Sequence, residues 1–204
     1  MCLYVKNRNQ GRNQYVLAPE TAKRPIRCLK VVLKIVTQPY KYDENISEQF
    51  RDYEKVEYVS PWRREPWHDR FTYSVGHVVE HNPTPLFGSS KDVPLRAERH
   101  YYRGENERGY NYTVDPGIHT WDAKSQGAEK YVSWLKGQLV KHAHCYPYCC
   151  ATPVILECEI PAGTRYYRGV AWADDKARCA GYASERVKVI KEREIPCACS
   201  TKTE

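Results

Sequence analysis

Thr152 to Glu159, Arg165 to Val170 and Arg186 to Ile190 each read as a β-strand, and Pro161-Ala162-Gly163 leaves only a tight connection between the first two. Strands this close in sequence favour a mostly antiparallel sheet over one built from long crossovers. The constraint reaches back to Asp115-Pro116-Gly117, a turn signal that ends a short strand beginning at Tyr110 to Tyr112. A helix is predicted after it, with Ala128, Tyr131, Val132 and Leu135 as its buried stripe and Asp122 or Ser125 as cap.

The first strong strand is Ile26 to Val36. There Cys28, Leu29, Val31, Val32, Leu33, Ile35 and Val36 make a nearly continuous β-branched run suited to a strand covered on both faces. Asp43 to Lys55, with Ile46, Phe50 and Tyr53, fits a short surface helix. Phe71 to Val79 reads as a strand interrupted at Gly76. These elements predict an α+β fold: a mostly antiparallel sheet with one principal helix and a long Pro/Gly-rich insertion. The expected layout is a polar arm over 1–25, one domain over 26–194 with an insertion over 80–112, and a polar Cys-containing tail over 195–204. A short hairpin is expected within the insertion, through His100 to Arg103.

The 204-residue chain carries a formal net charge of +7, which favours acidic partners. Its basic residues are dispersed among acidic ones, and no RNP, helix-turn-helix or zinc-finger signature accompanies them, so nucleic-acid binding is only weakly supported by charge. No window approaches the ~20 apolar residues of a membrane span. The N-terminal residues lack the apolar run of a signal peptide, so the expectation is a cytoplasmic protein with no membrane partner. The 17 Tyr and 5 Trp supply burying surface and partner-binding area alike.

Chemistry is concentrated in the Cys-rich loop His142-Ala143-His144-Cys145-Tyr146-Pro147-Tyr148-Cys149-Cys150. His144, Cys145, Cys149 and Cys150 are candidate ligands for a structural zinc, with Cys197 or Cys199 arriving from the tail. The competing reading is a set of reduced thiols, some packed as small hydrophobes. A Cys–His nucleophile using His119, His142 or His144 has no supporting flanking signature, and no P-loop, dinucleotide glycine motif or H-E-x-x-H occurs. For partner binding, the candidates are Trp62 and Trp67 in a proline-punctuated loop and Tyr101 and Tyr102 in the insertion. The alternative for these four is packing back onto the sheet.

Three motifs resemble a family of uncharacterised proteins from bacteriophages, prophages and gut bacteria: Gly117-Ile118-His119-Thr120-Trp121, Ile160-Pro161-Ala162-Gly163-Thr164-Arg165-Tyr166-Tyr167-Arg168-Gly169, and Tyr182-Ala183-Ser184-Glu185 with the strand that follows. That resemblance implies a phage or mobile-element setting without implying a reaction. A fainter likeness is to the ADP-ribosyltransferase fold, poly(ADP-ribose) polymerase branch, through Gly117 to Trp121, Ser125, Ala128, Tyr131 and the strand exit over Glu159 to Tyr166. It implies an NAD cleft with His119 and Glu185 in catalytic positions. The sequence departs from that branch at His119, where Tyr is the rule, and at Cys28-Leu29-Lys30, which replaces its early His- or Arg-bearing strand. The expected function is a small accessory protein that binds a macromolecular partner, a protein foremost. The alternatives are an NAD- or nucleotide-binding enzyme or degenerate sensor, and a virion component.

Overall fold

The computed structural model describes residues 3–5, 17–37, 55–61, 72–81, 95–103, 108–114, 117–141, 151–174 and 176–194. These residues form the strands β1 (Leu3–Val5), β2 (Glu20–Thr21), β3 (Ile26–Thr37), β4 (Lys55–Val59), β5 (Thr72–Tyr73), β6 (Val78–Glu80), β7 (Glu98–Arg103), β8 (Arg108–Val114) and β9 (Ile118–Asp122). One helix, α1 (Gly127–Lys141), comes next, followed by β10 (Ala151–Ile160), β11 (Arg165–Trp172), β12 (Arg178–Ser184) and β13 (Arg186–Glu192). Every strand pairing among the described residues is antiparallel. The sheet runs β6-β13-β10-β3-β9-β12-β11-β1-β8-β7, with β2 against β11 and β4 between β3 and β5.

This order forces the sheet to curl. β12 pairs with β9, and β13 pairs with β10, four strands away. In a flat sheet those positions lie roughly 19 Å apart at ~4.8 Å per strand. Yet only Glu185 separates Ser184 from Arg186, and that much chain spans at most about 7 Å. The strands β10, β3 and β9 must therefore wrap until the two edges meet at Glu185. Inside the curl lie Cys28, Val32, Ile118, Leu156, Cys158, Ile160, Val187 and Val189, all buried.

The outer face of the same strands is covered by α1. Alternation along β3 sends Leu29, Val31 and Leu33 to the opposite side from Cys28, Lys30 and Val32. The first three join Ala128, Tyr131, Val132 and Leu135 of α1 in a second core, together with Trp121 and Ile155. α1 forms where its i, i+3, i+4, i+7 spacing predicted and runs unbroken through Gly137. Asp122 starts its approach, accepting the Lys124 backbone N–H through Oδ1 at 2.9 Å in an Asx turn. Ser125 Oγ then accepts the Gly127 N–H at 3.4 Å. Gly127 has to be small: a Cβ there would collide with the Trp121 ring.

Several expectations shift on contact with the structure. Within the polar 1–25 segment, Leu3 is wholly buried in β1, which pairs with both β8 and β11, and Glu20–Thr21 pairs with β11. The hairpin expected near His100 is a full pairing of β7 with β8, from Glu98↔Thr113 to Arg103↔Arg108. β9 and most of β12 are strands that local patterning did not isolate. β9 follows a turn so closely that its five residues read as part of it. β12 is Ala-, Gly- and Ser-rich because its Gly181 lies under the Thr120 backbone. The helix expected over residues 43–55 lies outside the described residues except at Lys55, which begins β4.

β1 is held against a glycine. A Cβ at Gly169 would collide with the Tyr4 backbone carbonyl and approach Leu3 Cγ at 3.1 Å. Because the obstacle is backbone, Gly169→Ala should lift β1 off β11 and cost about 1–3 kcal/mol. A thermal melt should register this at roughly 2–4 °C per kcal/mol, with amide exchange accelerating at residues 3–5. An unchanged melt would show that β1 is not seated as described.

Candidate functional site

Lys30 stands on the inner face of β3, where β-branched neighbours would ordinarily place another aliphatic residue. It is buried, with its Nζ donating to the His119 backbone carbonyl at 2.8 Å and lying 5.5 Å from the centroid of the Tyr73 ring. Burial disfavours the ammonium and brings its pKa down to about 8, with the Cys158 and Cys28 thiols nearby acting in the opposite sense. Cys28 and Cys158 are cross-strand partners. Burial pushes Cys28 up to about 12, moderated by the Thr120 hydroxyl beside it and by Lys30. Cys158 is raised for the same principal reason and donates its S–H to the Leu156 carbonyl at 3.6 Å. Both thiols are therefore protonated at neutral pH and poor nucleophiles.

Moving outward along the same face, the chain becomes polar and then exposed. Tyr182 donates its hydroxyl to Asp122 Oδ2 at 2.9 Å, and the Arg168 guanidinium approaches the same oxygen at 3.5 Å. Burial, reinforced by Asp122, raises the Tyr182 phenol well above its usual range. Tyr166 meets Tyr182 edge-on at 6.0 Å and donates to Glu20 at 2.9 Å. Four pairs along the β11–β12 ladder from Arg168↔Tyr182, Trp172 opposes Arg178. The Arg178 guanidinium lies 4.4 Å from the Trp172 ring centroid and 5.2 Å from that of Tyr4 on β1. Trp172 is 41% exposed, and Arg178 is exposed. Among the described residues no carboxylate or hydrogen-bond acceptor engages Arg178. The result is an open sheet face bearing Tyr4, Arg168, Val170, Trp172 and Arg178, rooted in the buried Tyr182–Asp122 pair.

The residues expected to carry chemistry are distributed differently. His119 is buried in β9 opposite Ala183, and its carbonyl serves Lys30. Glu185 sits at the β12–β13 junction in an ion pair with Arg165. His81 is its neighbour: the His81 N–H donates to the Glu185 carbonyl at 2.6 Å, and burial lowers the imidazole pKa against the pull of the Glu185 charge. Tyr101 and Tyr102 fall on β7 at the far edge of the sheet from β6, opposite Tyr110 and Gly109. Trp62, Trp67, His144, Cys145, Cys149 and Cys150 lie outside the described residues, as do Cys197 and Cys199. Among the described residues no three His, Cys, Asp or Glu side chains gather as a metal site, and no helix is long and apolar enough to cross a membrane. Sequence reading missed Lys30 and the Trp172–Arg178 pair. A charged residue inside an otherwise apolar strand was the available signal for the first. The second was a cross-strand pair that no single-strand pattern reveals.

No protein-family model matches the chain, and neither a curated protein nor a solved structure does.

The buried amine makes a pH test. Below pH 8 Lys30 is charged in both folded and unfolded chains, and the cost of burying that charge is present in full. Between its folded value of about 8 and its unfolded value of 10.5, the unfolded chain binds more protons, so stability contributed by this site rises with pH. Cys28 opposes this from pH 9 upward, because its thiol ionises near 9.0 when unfolded and near 12 when folded. Removing Lys30 also removes its lowering effect on the Cys28 thiol, so the comparison is confined to pH 8 to 9, below the range where Cys28 ionises. Lys30→Met should therefore be more stable than wild type at pH 7, and its advantage should shrink by about 1 kcal/mol between pH 8 and pH 9. Parallel denaturation curves at the two pH values would count against a buried, titrating Lys30.

Proposed function

We propose that this chain is an α+β accessory protein, of the phage or mobile-element kind, that acts by binding a macromolecular partner in the cytoplasm. The observation that carries this reading is the open face of β1, β11 and β12. Exposed aromatic and arginine side chains side by side are the composition that binding surfaces favour. Here they stand on central strands of a sheet, where position is fixed by the ladder rather than by a loop. In the enzyme alternative, an NAD cleft would use His119 and Glu185. The first contributes a carbonyl to a buried lysine, and the second is neutralised by Arg165. The binding reading draws on exposed residues, whereas His119 is buried and Glu185 is held in an ion pair. Tyr101 and Tyr102, on the terminal strand β7, fit the same reading.

The test is site-specific photo-crosslinking in cells. A benzophenone side chain placed at Val170, within the face, should give a discrete adduct, and one placed at Lys136 on the exposed side of α1 should not. Trp172→Ala in the Val170 background should reduce the adduct at least severalfold without moving the thermal midpoint, since Trp172 stands largely clear of the core. Equal labelling from both positions would remove the face as a docking site.

A further inference from the structure

We propose that the exposed face of β1, β11 and β12 binds single-stranded nucleic acid, with an unpaired base stacking on Trp172 and phosphates taken by Arg168 and Arg178. This deepens the binding reading above and rests on it.

The chemistry of the face selects the partner. The Arg178 guanidinium carbon lies 4.4 Å from the Trp172 ring centroid and 5.2 Å from that of Tyr4, a cation–π cluster on the exposed face. Flat surfaces of this kind pair with other flat surfaces, and unpaired bases stack on aromatic rings and on arginine planes alike. Arg178 is exposed, and among the described residues no carboxylate pairs with it. Arg168, also exposed, spends only one long 3.5 Å contact on Asp122. Two cations on this face answer the phosphates that accompany every base. An acidic peptide would satisfy the arginines and leave Trp172 and Tyr4 without a planar counterpart. A duplex would offer phosphates but keep its base faces inside.

Spacing supports the same partner. Tyr166, Arg168, Val170 and Trp172 are alternate residues of β11 and therefore share one face. Their repeat is about 6.8 Å, twice the ~3.4 Å per nucleotide of a stacked strand. A strand laid along β11 with its bases unstacked passes the Arg168 guanidinium, then Val170, then the Trp172 ring. The net charge of +7 adds long-range attraction for a polyanion without fixing its register.

The experiment is fluorescence anisotropy of the full chain with labelled thymidine and uridine oligomers of about 15 nucleotides, a length on the scale of known single-strand sites. A duplex of equal length serves as competitor, and salt is varied. Both single strands should bind more tightly than the duplex, and any gap between them reports which sugar the face prefers. Trp172→Ala should weaken binding roughly tenfold. Arg178→Ala should lower the slope of log K against log salt by about 0.7. Circular dichroism and melting of each variant should match wild type. Equal affinity for duplex and single strand, unaltered in both variants, would reduce the effect to general charge attraction and overturn the proposal. No oligomer binding, together with a protein adduct from the Val170 crosslinker, would overturn it and leave the broader binding reading standing. No oligomer binding and no adduct would bring down both.

Discussion

The one-residue junction at Glu185 is the constraint from which the rest of this architecture follows. Two strands that belong four places apart in the sheet are joined by a single peptide step, so the intervening strands can only curl. Curling gives the sheet an inside, and that inside is filled by small and β-branched side chains from β3, β10 and β13. The outside then needs a cover, which α1 supplies with four residues at helical spacing. The junction is held by more than connectivity. The Glu185 N–H donates to the Arg165 carbonyl at 3.2 Å, the Glu185 carbonyl accepts from His81, and the Glu185 carboxylate meets the Arg165 guanidinium.

Curvature also explains why one strand face carries two characters. Along β12, Ser184 and Tyr182 look toward the enclosed region and are buried, whereas Arg178 on the same face is exposed. The crossover comes where β11 leaves the curl and continues into β1 and β8. Asp122 and Tyr182 mark it, because a carboxylate and a phenol can satisfy each other at the boundary between apolar filling and water. Lys30 lies on the dry side of that boundary. Its hydrogen bond to the His119 carbonyl and its contact with Tyr73 offset only part of the desolvation cost, which is why its proton is held less tightly than in water.

Much of this was legible in the residues, and the illegible parts share a cause. The run over Ile26 to Val36 declared a doubly covered strand, and β3 is covered by α1 on one face and by the curl on the other. Pro161-Ala162-Gly163 declared a tight connection, realised with Gly163 at φ 78°, but among the described residues the strands it joins pair with other strands rather than with each other. The stripe Ala128, Tyr131, Val132, Leu135 declared the helix and its buried face. What stayed hidden depends on partners far away in sequence. Leu3 belongs to a short apolar run at the head of a mostly polar segment, and its burial appears only when β8 and β11 close over it. Trp172 and Arg178 are two ordinary residues until the ladder sets them opposite each other. Lys30 reads as a polar interruption, and only the fold turns it inward.

β3 and β10 pair along their whole lengths, from Ile26↔Ile160 to Ile35↔Ala151, although well over a hundred residues of chain lie between them. Closing so long a loop costs little more free energy than closing a shorter one, but it delays the event, because non-local pairings dominate slow folding. A ribosome releases β3 long before β10 exists, so the most apolar strand of the molecule waits with that edge unfilled. In that interval Arg27, Lys30 and Lys34 are the residues that break its apolar run. Charges placed within a sticky strand are the usual defence against premature association with other chains. The same lysine that burdens the finished fold thus interrupts the segment most exposed while the fold is still being made.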